Sequence, residues 1–416
     1  MRFILLNFPA LYITVVVLAY LLGPWGLADS VPIFNYYLVL VILSIVLGGF
    51  LGRRVALPLL SPTKISSGDK LFKYGLMASF FLIFPTTFAR TGSFFPDILF
   101  GLTDPGAAYQ RALEPAFPQI EYLRIILSPL IFCTLPLGVM YFSRLNIWFK
   151  VAFLVYVVLY SALFVAMGVN RGVFDVVFGL LFAYATSKTQ EGDKLNRALI
   201  NAILLTTPAL IGALILFING QLDRSGSGAG IGYFLAADSF SSLDPTGASS
   251  TLEMYAVVLV NQLTIYLTQG FYGASLIFEK GIGQLTYGFG HSDFLLRNAA
   301  KFFGEDILSL SPIYEMESTN GWDHGNFWFS IIAWIASDVG FIGAIFVIFG
   351  LSFVYSRSLE IYLKSGDWMS FLVVCVVSFI FLYFPANNYM MQSGELFVPA
   401  YLFIIIWLIK FLKRKN

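Results

Sequence analysis

The chain has 416 residues, of which 58% are hydrophobic and only 12% are charged. Soluble proteins have about 25% charged residues, so this composition excludes an ordinary soluble domain and indicates a protein solvated by lipid. The formal net charge of +1 gives no reason to expect nucleic acid as a partner. Repeated apolar runs of ~20 residues predict membrane-spanning helices, whereas a β-barrel would show short alternating segments.

Ten apolar runs predict an all-α polytopic membrane protein with about ten transmembrane helices and one membrane domain, residues 1–416. The runs cover residues 3–22, 35–51, 74–90, 122–142, 150–168, 172–187, 198–218, 338–356, 368–384 and 396–411. No small-residue cleavage site follows the first run, so we expect this helix to remain as an anchor. Cys133 and Cys375 lie inside apolar runs, which favours neither a disulfide nor a metal site.

The charges predict which way the chain crosses the membrane. An even number of spans places both termini on one side, and the basic tail predicts that this side is the cytoplasm. The pieces assigned to the cytoplasm then hold 17 of the 25 basic residues but only 5 of the 24 acidic ones. The N and C termini are therefore expected in the cytoplasm, because short cytoplasmic loops are rich in Lys and Arg.

Two loops on the outer side are long enough to be functional. Residues 91–121 contain four prolines and several acids and predict an ordered loop that does not span the membrane. Residues 219–326, between predicted helices seven and eight, far exceed the ~15 residues above which a loop is usually functional or disordered. Their aromatic and glycine content favours a folded region. Within it the polar residues of segment 252–278 predict an interfacial or re-entrant helix rather than a span.

The outer side holds eight basic residues, and six of them are arginines. The planar guanidinium suits phosphate and carboxylate oxygens, so the set predicts an anionic ligand at the outer face. The alternative is that each arginine pairs with an outer acid, as Arg111 and Arg124 are expected to do with Glu114 and Glu121. The arginines assigned to the ligand are Arg171, Arg224, Arg297 and Arg90.

Arg171 is the strongest of these candidates. It lies between two apolar runs that are joined by almost no loop, and a charge at membrane depth usually faces a cavity or a partner. Asp175 follows one helical turn later, so the alternative is a structural Arg171–Asp175 pair.

Both histidines of the chain fall on the outer side. A histidine is able to take a proton from a sugar hydroxyl near neutral pH, and the alternative is a hydrogen-bonded residue at the membrane interface. We take His324 as the first candidate base, with Asp323 as its orienting partner or substitute, and His291 as the second. Trp322 and Trp328 either stack on sugar rings or belong to an interfacial belt.

Asp338 interrupts a long apolar segment, Phe327–Tyr355. The segment is too long for one upright helix, so we expect an interfacial helix over Phe327–Ala336. Asp338 would then lie at the outer mouth of the next span and serve the substrate site. The sequence contains no phosphate-binding glycine loop, serine-nucleophile motif or metal-binding Cys/His set, so it predicts neither a cofactor nor a metal.

Three features occur together: an arginine-glycine at a helix start (Asn170-Arg171-Gly172), a long outer loop, and an Asp-x-Gly-x-x-Gly helix from Asp338 to Gly343. The sequence ThrAspProGlyAlaAlaTyr at residues 103–109 is a fourth shared feature. This combination resembles the bacterial oligosaccharide repeat-unit polymerases, the O-antigen polymerase (Wzy-type) family. The resemblance covers most of the chain as architecture, through short motifs.

The resemblance implies a metal-independent glycosyltransferase of the bacterial cytoplasmic (inner) membrane. It would move a growing glycan from undecaprenyl diphosphate onto an incoming lipid-linked repeat unit, building O-antigen or capsule-type polysaccharide at the periplasmic face. The implied partners are undecaprenyl-diphosphate-linked oligosaccharide, membrane lipid, and a chain-length regulator and flippase of the same pathway.

Other functions stay open from the sequence alone. An O-antigen ligase would use the same donor but transfer the glycan to lipid A–core. A polysaccharide or lipid-linked oligosaccharide transporter is a different class, and it would place charges near the membrane midplane and show repeated halves. The sequence shows neither feature. A non-catalytic membrane scaffold would not require the outer arginines.

Overall fold

A computed structural model describes residues 1–23, 27–55, 65–113, 116–191, 250–304, 306–322, 324–325 and 327–413, and the single residues 204, 207, 212 and 214. Of the described residues, 84% are helical and none lies in a strand, which confirms the all-α class. Numbered in chain order, the described helices are α1 (Arg2–Leu22), α2 (Pro32–Arg54), α3 (Ile65–Thr91), α4 (Ile98–Thr103), α5 (Pro105–Leu113), α6 (Pro118–Tyr141), α7 (Ile147–Ala166), α8 (Asn170–Glu191), α9 (Thr251–Lys280), α10 (Asp293–Phe303), α11 (Asp306–Ser309), α12 (Pro312–Asn320), α13 (Ile331–Ser365), α14 (Trp368–Tyr383) and α15 (Gly394–Lys413).

Within the described part of the chain, seven helices are long and apolar enough to cross a membrane: α1, α2, α3, α6, α7, α13 and α15. This number supports a multi-pass membrane protein. Two further predicted runs coincide with α8 and α14. Arg171, Asp175 and Lys188 lower the mean hydropathy of α8, and α14 has only 16 residues. The tenth run, 198–218, lies almost wholly outside the described residues.

The helix ends that carry the predicted cytoplasmic charges meet at one end of the bundle. Arg2 at the start of α1 forms an ion pair of 3.0 Å with Glu360 near the end of α13. The Trp368 indole at the start of α14 donates to Ser67 Oγ of α3 at 3.1 Å, and Lys410 Nζ of α15 lies 5.7 Å from the centre of the Trp368 ring. We name this the basic end, defined by these five residues.

Close packing of α13 on α2 fixes the helix that carries Asp338. A Cβ atom at Gly48 would lie 2.3 Å from the Phe349 carbonyl oxygen, and one at Gly52 would lie 2.7 Å from that of Phe353. Small residues that let two backbones approach are typical of helix interfaces in membranes. A larger side chain at either glycine would therefore force α2 and α13 apart.

Helix α9 lies across the end of the bundle opposite the basic end. Its Phe271 contacts Tyr20 near the end of α1, with ring centroids 5.7 Å apart. Its Phe278 contacts Phe34 at the start of α2, with centroids 5.4 Å apart. The helix runs for 30 residues without turning back, so it is not re-entrant. Its contacts to the end of α1 and the start of α2 favour an interfacial position.

The predicted interfacial helix Phe327–Ala336 has a different environment in the structure. The helix begins at Ile331, and residues 331–337 are all buried. It continues through Asp338 into the long part of α13 after a kink at Gly340, where φ is +72° and ψ is 168°. The neighbouring helices, and not the lipid boundary, therefore cover this segment.

The first outer loop folds into two short helices. Asp97 caps α4 by accepting from Phe100 N at 3.0 Å, and Asp104 caps α5 by accepting from Ala107 N at 2.9 Å. Side chains that accept from the first turn stabilise helix starts. Neither helix is long enough to span a bilayer. The described residues of the second outer region, from 250 onward, form α9 to α12.

Candidate functional site

Arg171 is the second residue of α8 and lies at the end of the bundle opposite the basic end. Its guanidinium carbon lies 4.1 Å from the centre of the Tyr389 ring, a geometry in which the ring face attracts the cation. Asp175, one turn later, accepts a hydrogen bond from the Tyr383 hydroxyl. Burial, and then the Asp175 carboxylate, raise the pKa of Tyr389 well above its usual value, so its phenol stays protonated. Tyr389 therefore interacts with both Arg171 and Asp175, and Tyr383 binds Asp175 as well.

A tight turn explains how α8 starts in this place. Gly168 has φ of +64°, a conformation that favours glycine, and a Cβ there would lie 2.2 Å from the Pro105 carbonyl oxygen. The backbone of α5 therefore passes directly over the turn between α7 and α8. This contact places the segment 103–109 beside the start of α8.

A second arginine, Arg124 of α6, belongs to a partly buried charge network. Arg124 contacts Glu395 at 2.5 Å and Glu121 at 3.5 Å. Arg90 of α3 contacts Glu121 at 2.8 Å and donates to the Ala112 carbonyl at 2.9 Å. The network thus joins α3, α6 and α15. The pairing expected for Arg124 with Glu121 is present, and it extends to Arg90, which the sequence assigned to a ligand.

A cavity of about 120 Å³ connects these two clusters. Its lining includes Arg124, Glu395, Asp175, Tyr389 and Tyr160. A cavity of this volume has room for several water molecules or for a group of the size of a phosphate. Ionisable groups inside a membrane domain usually mark a ligand or ion site.

Asp338 organises a third cluster. Its Oδ1 accepts from Thr286 Oγ1 at 2.6 Å and from the Gly288 and Gly290 amides at 2.8 and 2.9 Å. Its Oδ2 accepts from the His291 amide at 2.9 Å and contacts His291 Nδ1 at 2.7 Å. The loop before α10 is therefore folded around one carboxylate, which lies just before the kink in α13.

The contact between Asp338 and His291 sets the tautomer of the histidine. A carboxylate only accepts hydrogen bonds, so the proton lies on His291 Nδ1 and the lone pair on Nε2. The Tyr401 hydroxyl of α15 lies at hydrogen-bond distance from Nε2 and therefore donates to it. The His291 side chain is 20% exposed and that of Asp338 is 8% exposed. A buried carboxylate thus binds Nδ1 and orients the ring, and Nε2 carries the lone pair that can accept a proton. This is the arrangement of a general base.

The turn at residues 388–391 joins the Arg171 cluster to the His291 cluster. The ring of Tyr389 lies against Arg171. Beside it, Asn388 Nδ2 donates to the His291 carbonyl, and the Met391 carbonyl accepts from Ser292 Oγ at 2.6 Å. One short turn therefore fixes the cationic group and the candidate base relative to each other.

His324 belongs to a separate group with Arg297. Arg297 and the Tyr314 hydroxyl both donate to Asp293, and the Tyr314 bond is 2.8 Å long. The rings of Tyr314 and His324 lie 3.9 Å apart between centroids. Arg297 is 63% exposed. The turn at 388–391 therefore links the second candidate base, His291, to the Arg171 cluster, whereas the first candidate, His324, packs on Tyr314.

The tryptophans beside His324 pack against other aromatic side chains. Trp322 is 6% exposed and stacks on Phe327 with centroids 4.4 Å apart. Trp328 packs edge-on against Tyr266 at 4.5 Å. These contacts leave the Trp322 ring no free face for a sugar. Asp323 and Arg224 lie outside the described residues.

Four residues of the site were not among the sequence candidates: Arg124, Glu395, Tyr389 and Tyr401. Arg124 was assigned to plain ion pairing because Glu121 lies three residues away. Glu395 did carry a signal, since a carboxylate at the start of an apolar run needs a partner. Aromatic residues are too common in this chain to single out Tyr389 or Tyr401.

Comparison of the chain with protein families, curated proteins and solved structures finds no match. The function is therefore inferred from the chemistry of the three connected clusters.

Proposed function

We propose that the protein is a lipid-diphosphate-dependent glycosyltransferase that polymerises oligosaccharide repeat units. The observation that supports this proposal most is the turn at 388–391, where Tyr389 packs on Arg171 and Asn388 donates to the His291 carbonyl. An acidic leaving group such as a diphosphate needs cations, and an acceptor hydroxyl needs a base. The site supplies both, and it lies at the end of the bundle opposite the basic end. We assign this end with the site to the periplasmic face of a bacterial cytoplasmic membrane.

Arg171 and Arg124 would bind the diphosphate of the donor. In the transfer step, the bond between the sugar carbon and the phosphate oxygen breaks, and its electron pair leaves with undecaprenyl diphosphate. The charge that develops on this oxygen is stabilised by fixed cations in a site of low dielectric constant. The small cavity beside Arg124 has room for phosphate, and the glycan would remain outside it.

His291 would act as the general base. The acceptor hydroxyl takes the place of Tyr401 at His291 Nε2, and its proton passes to this nitrogen as the new glycosidic bond forms. Asp338 keeps the other ring proton on Nδ1 and stabilises the imidazolium that results. The proton later leaves to solvent. In this assignment Asp338 positions the base, and Tyr401 occupies the acceptor position when no substrate is bound.

The position of the charges favours transfer over transport. Arg171 and Glu395 are the second residues of α8 and α15, and they lie near one end of the bundle. A transporter would hold its substrate near the membrane midplane. The ligase alternative uses the same donor chemistry and differs only in the acceptor.

The test uses purified protein in detergent with a synthetic undecaprenyl-diphosphate repeat unit and neither nucleotide nor added metal. The expected result is a ladder of longer glycans on a gel. Transfer only when lipid A–core is added would replace the polymerase by a ligase. Movement of the lipid-linked sugar across a vesicle membrane without new glycosidic bonds would contradict both and support a transporter.

A further inference from the structure

Glu395 occupies the position on Arg124 that a phosphate oxygen would take. Its Oε2 lies 2.5 Å from the Arg124 guanidinium, and both side chains line the cavity. Among the described residues of this region, the number of arginines equals the number of carboxylic acid side chains, with three of each. They are Arg90, Arg124, Arg171, Glu121, Asp175 and Glu395.

A bound donor would upset this balance. A diphosphate that carries a lipid on one phosphate and a sugar on the other has two negative charges. Burying an unneutralised charge in a site of low dielectric constant is costly, so a carboxylate must become neutral or move away. The balance of charges therefore links ligand binding to proton uptake.

The geometry favours Glu395 as the carboxylate that becomes neutral or moves when the ligand binds. Glu121 is held by two arginines, Arg90 and Arg124, and it is not part of the cavity lining. Glu395 lines the cavity, is 27% exposed, and has Arg124 as its ion-pair partner.

Charged and titratable groups from several neighbouring elements face Glu395. They are Arg90 from α3, Glu121 and Arg124 from α6, Tyr160 from α7, and Tyr389 from the turn. If Glu395 moved away, Arg124 would still be paired with Glu121. If Glu121 moved away, both Arg90 and Arg124 would lose an ion pair.

We propose that Glu395 is a displaceable counter-ion, which neutralises Arg124 in the empty site and takes up one proton from solvent when the diphosphate binds. The inference rests on the proposed function and adds a pH-dependent control of substrate binding to it. Its chemistry is simple exchange: the phosphate oxygens replace the carboxylate on Arg124, and no covalent bond changes.

The probe is farnesyl diphosphate with a methyl ester on its far phosphate. It holds two charges that do not titrate between pH 6 and 8, and it carries no sugar to transfer. We expect the affinity of the wild-type protein to weaken toward pH 8, by up to about tenfold per pH unit where one proton is linked. Glu395→Gln should bind tighter than the wild type at pH 8, and the difference should shrink toward pH 6. The matched variant Glu121→Gln should keep the pH dependence.

The outcomes separate this inference from the proposed function. Wild-type binding that is equally tight at pH 6 and 8 overturns the role of Glu395 and leaves the diphosphate site standing. A pH dependence that persists unchanged in Glu395→Gln does the same. No binding at either pH overturns the diphosphate site and the inference with it. Should Glu395→Gln fail to fold, calorimetry of the wild type in two buffers of different ionisation enthalpy counts the protons directly. A count of zero overturns the inference.

Discussion

The Arg171 guanidinium lies over the face of Tyr389, with 4.1 Å between the guanidinium carbon and the centre of the ring. The ring holds the cation without neutralising it, because a π face carries no net charge. Arg90 and Arg124 instead form ion pairs of 2.8 and 2.5 Å with Glu121 and Glu395. The carboxylate of Asp175, one helical turn away, also interacts with Arg171.

Replacing Arg171 should abolish most of the transfer activity. We expect Arg171→Ala to slow polymer formation about 100-fold or more, the usual loss when one group that stabilises developing charge is removed. Arg171→Lys should recover only part of the rate, because lysine lacks the planar fork and stacks less well on the ring. The initial rate of ladder formation on a gel measures both variants.

The control for this prediction is Arg297→Ala. Arg297 is exposed and bonded to Asp293, away from Tyr389, so its removal should leave the rate close to that of the wild type. Equal losses in the two variants would mean that Arg171 has no special role.

The two histidines should respond differently to substitution. His291→Gln removes the proposed base and should slow transfer about 100-fold or more, the usual contribution of a positioned base. His324→Gln should retain most of the activity, because His324 packs on Tyr314 in the separate group. Rates measured with saturating donor distinguish the two. A large loss in His324→Gln with little change in His291→Gln would return the base to the residue that the sequence favoured first.

The kink in α13 gives a prediction about stability. Gly340 has φ of +72°, so Gly340→Ala should cost about 1–3 kcal/mol, the usual strain of such a backbone conformation. Gly350 lies in the same helix with no other heavy atom within 4 Å of an added Cβ. Gly350→Ala should therefore be neutral or stabilising by roughly 0.5–1 kcal/mol. Unfolding in detergent, followed by circular dichroism, measures both. Equal stability of the Gly340→Ala and Gly350→Ala proteins would contradict a positive φ at residue 340.

The two ends of the bundle should lie on opposite sides of the membrane. Ser318 in α12 and Ser143 after α6 are both exposed serines, and both native cysteines are buried. A membrane-impermeant maleimide should label Ser318→Cys in intact spheroplasts and Ser143→Cys only after the membrane is opened. The reverse pattern would place the Arg171 site in the cytoplasm and remove the periplasmic assignment.

The sequence predicts the helices well because lipid demands long apolar runs. The first run, 3–22, is α1 at Arg2–Leu22, and the second, 35–51, is α2 at Pro32–Arg54. The error at α2 has a physical cause: Arg53 and Arg54 continue the helix as its last turn, where basic side chains are favoured. Charged residues at helix ends mark the edge of the lipid core and not the end of the helix.

The site is harder to predict because its contacts join distant parts of the chain. His291 and Asp338 are 47 residues apart, and Arg124 and Glu395 are 271 apart. The sequence singled out Arg171 as a candidate because a charged residue between two apolar runs usually faces a cavity or a partner. His291 was the second candidate base, and its partner Asp338 could not be predicted because it comes from a different helix.

The most direct test counts the products of the transfer reaction itself. Purified protein in lipid nanodiscs receives a synthetic lipid-linked repeat unit, and mass spectrometry measures released undecaprenyl diphosphate and new glycosidic linkages over time. The wild type should release one undecaprenyl diphosphate for each linkage formed, and both quantities should fall together in Arg171→Ala and His291→Gln. No linkages from folded wild-type protein, or wild-type rates in both variants, would contradict the proposed function.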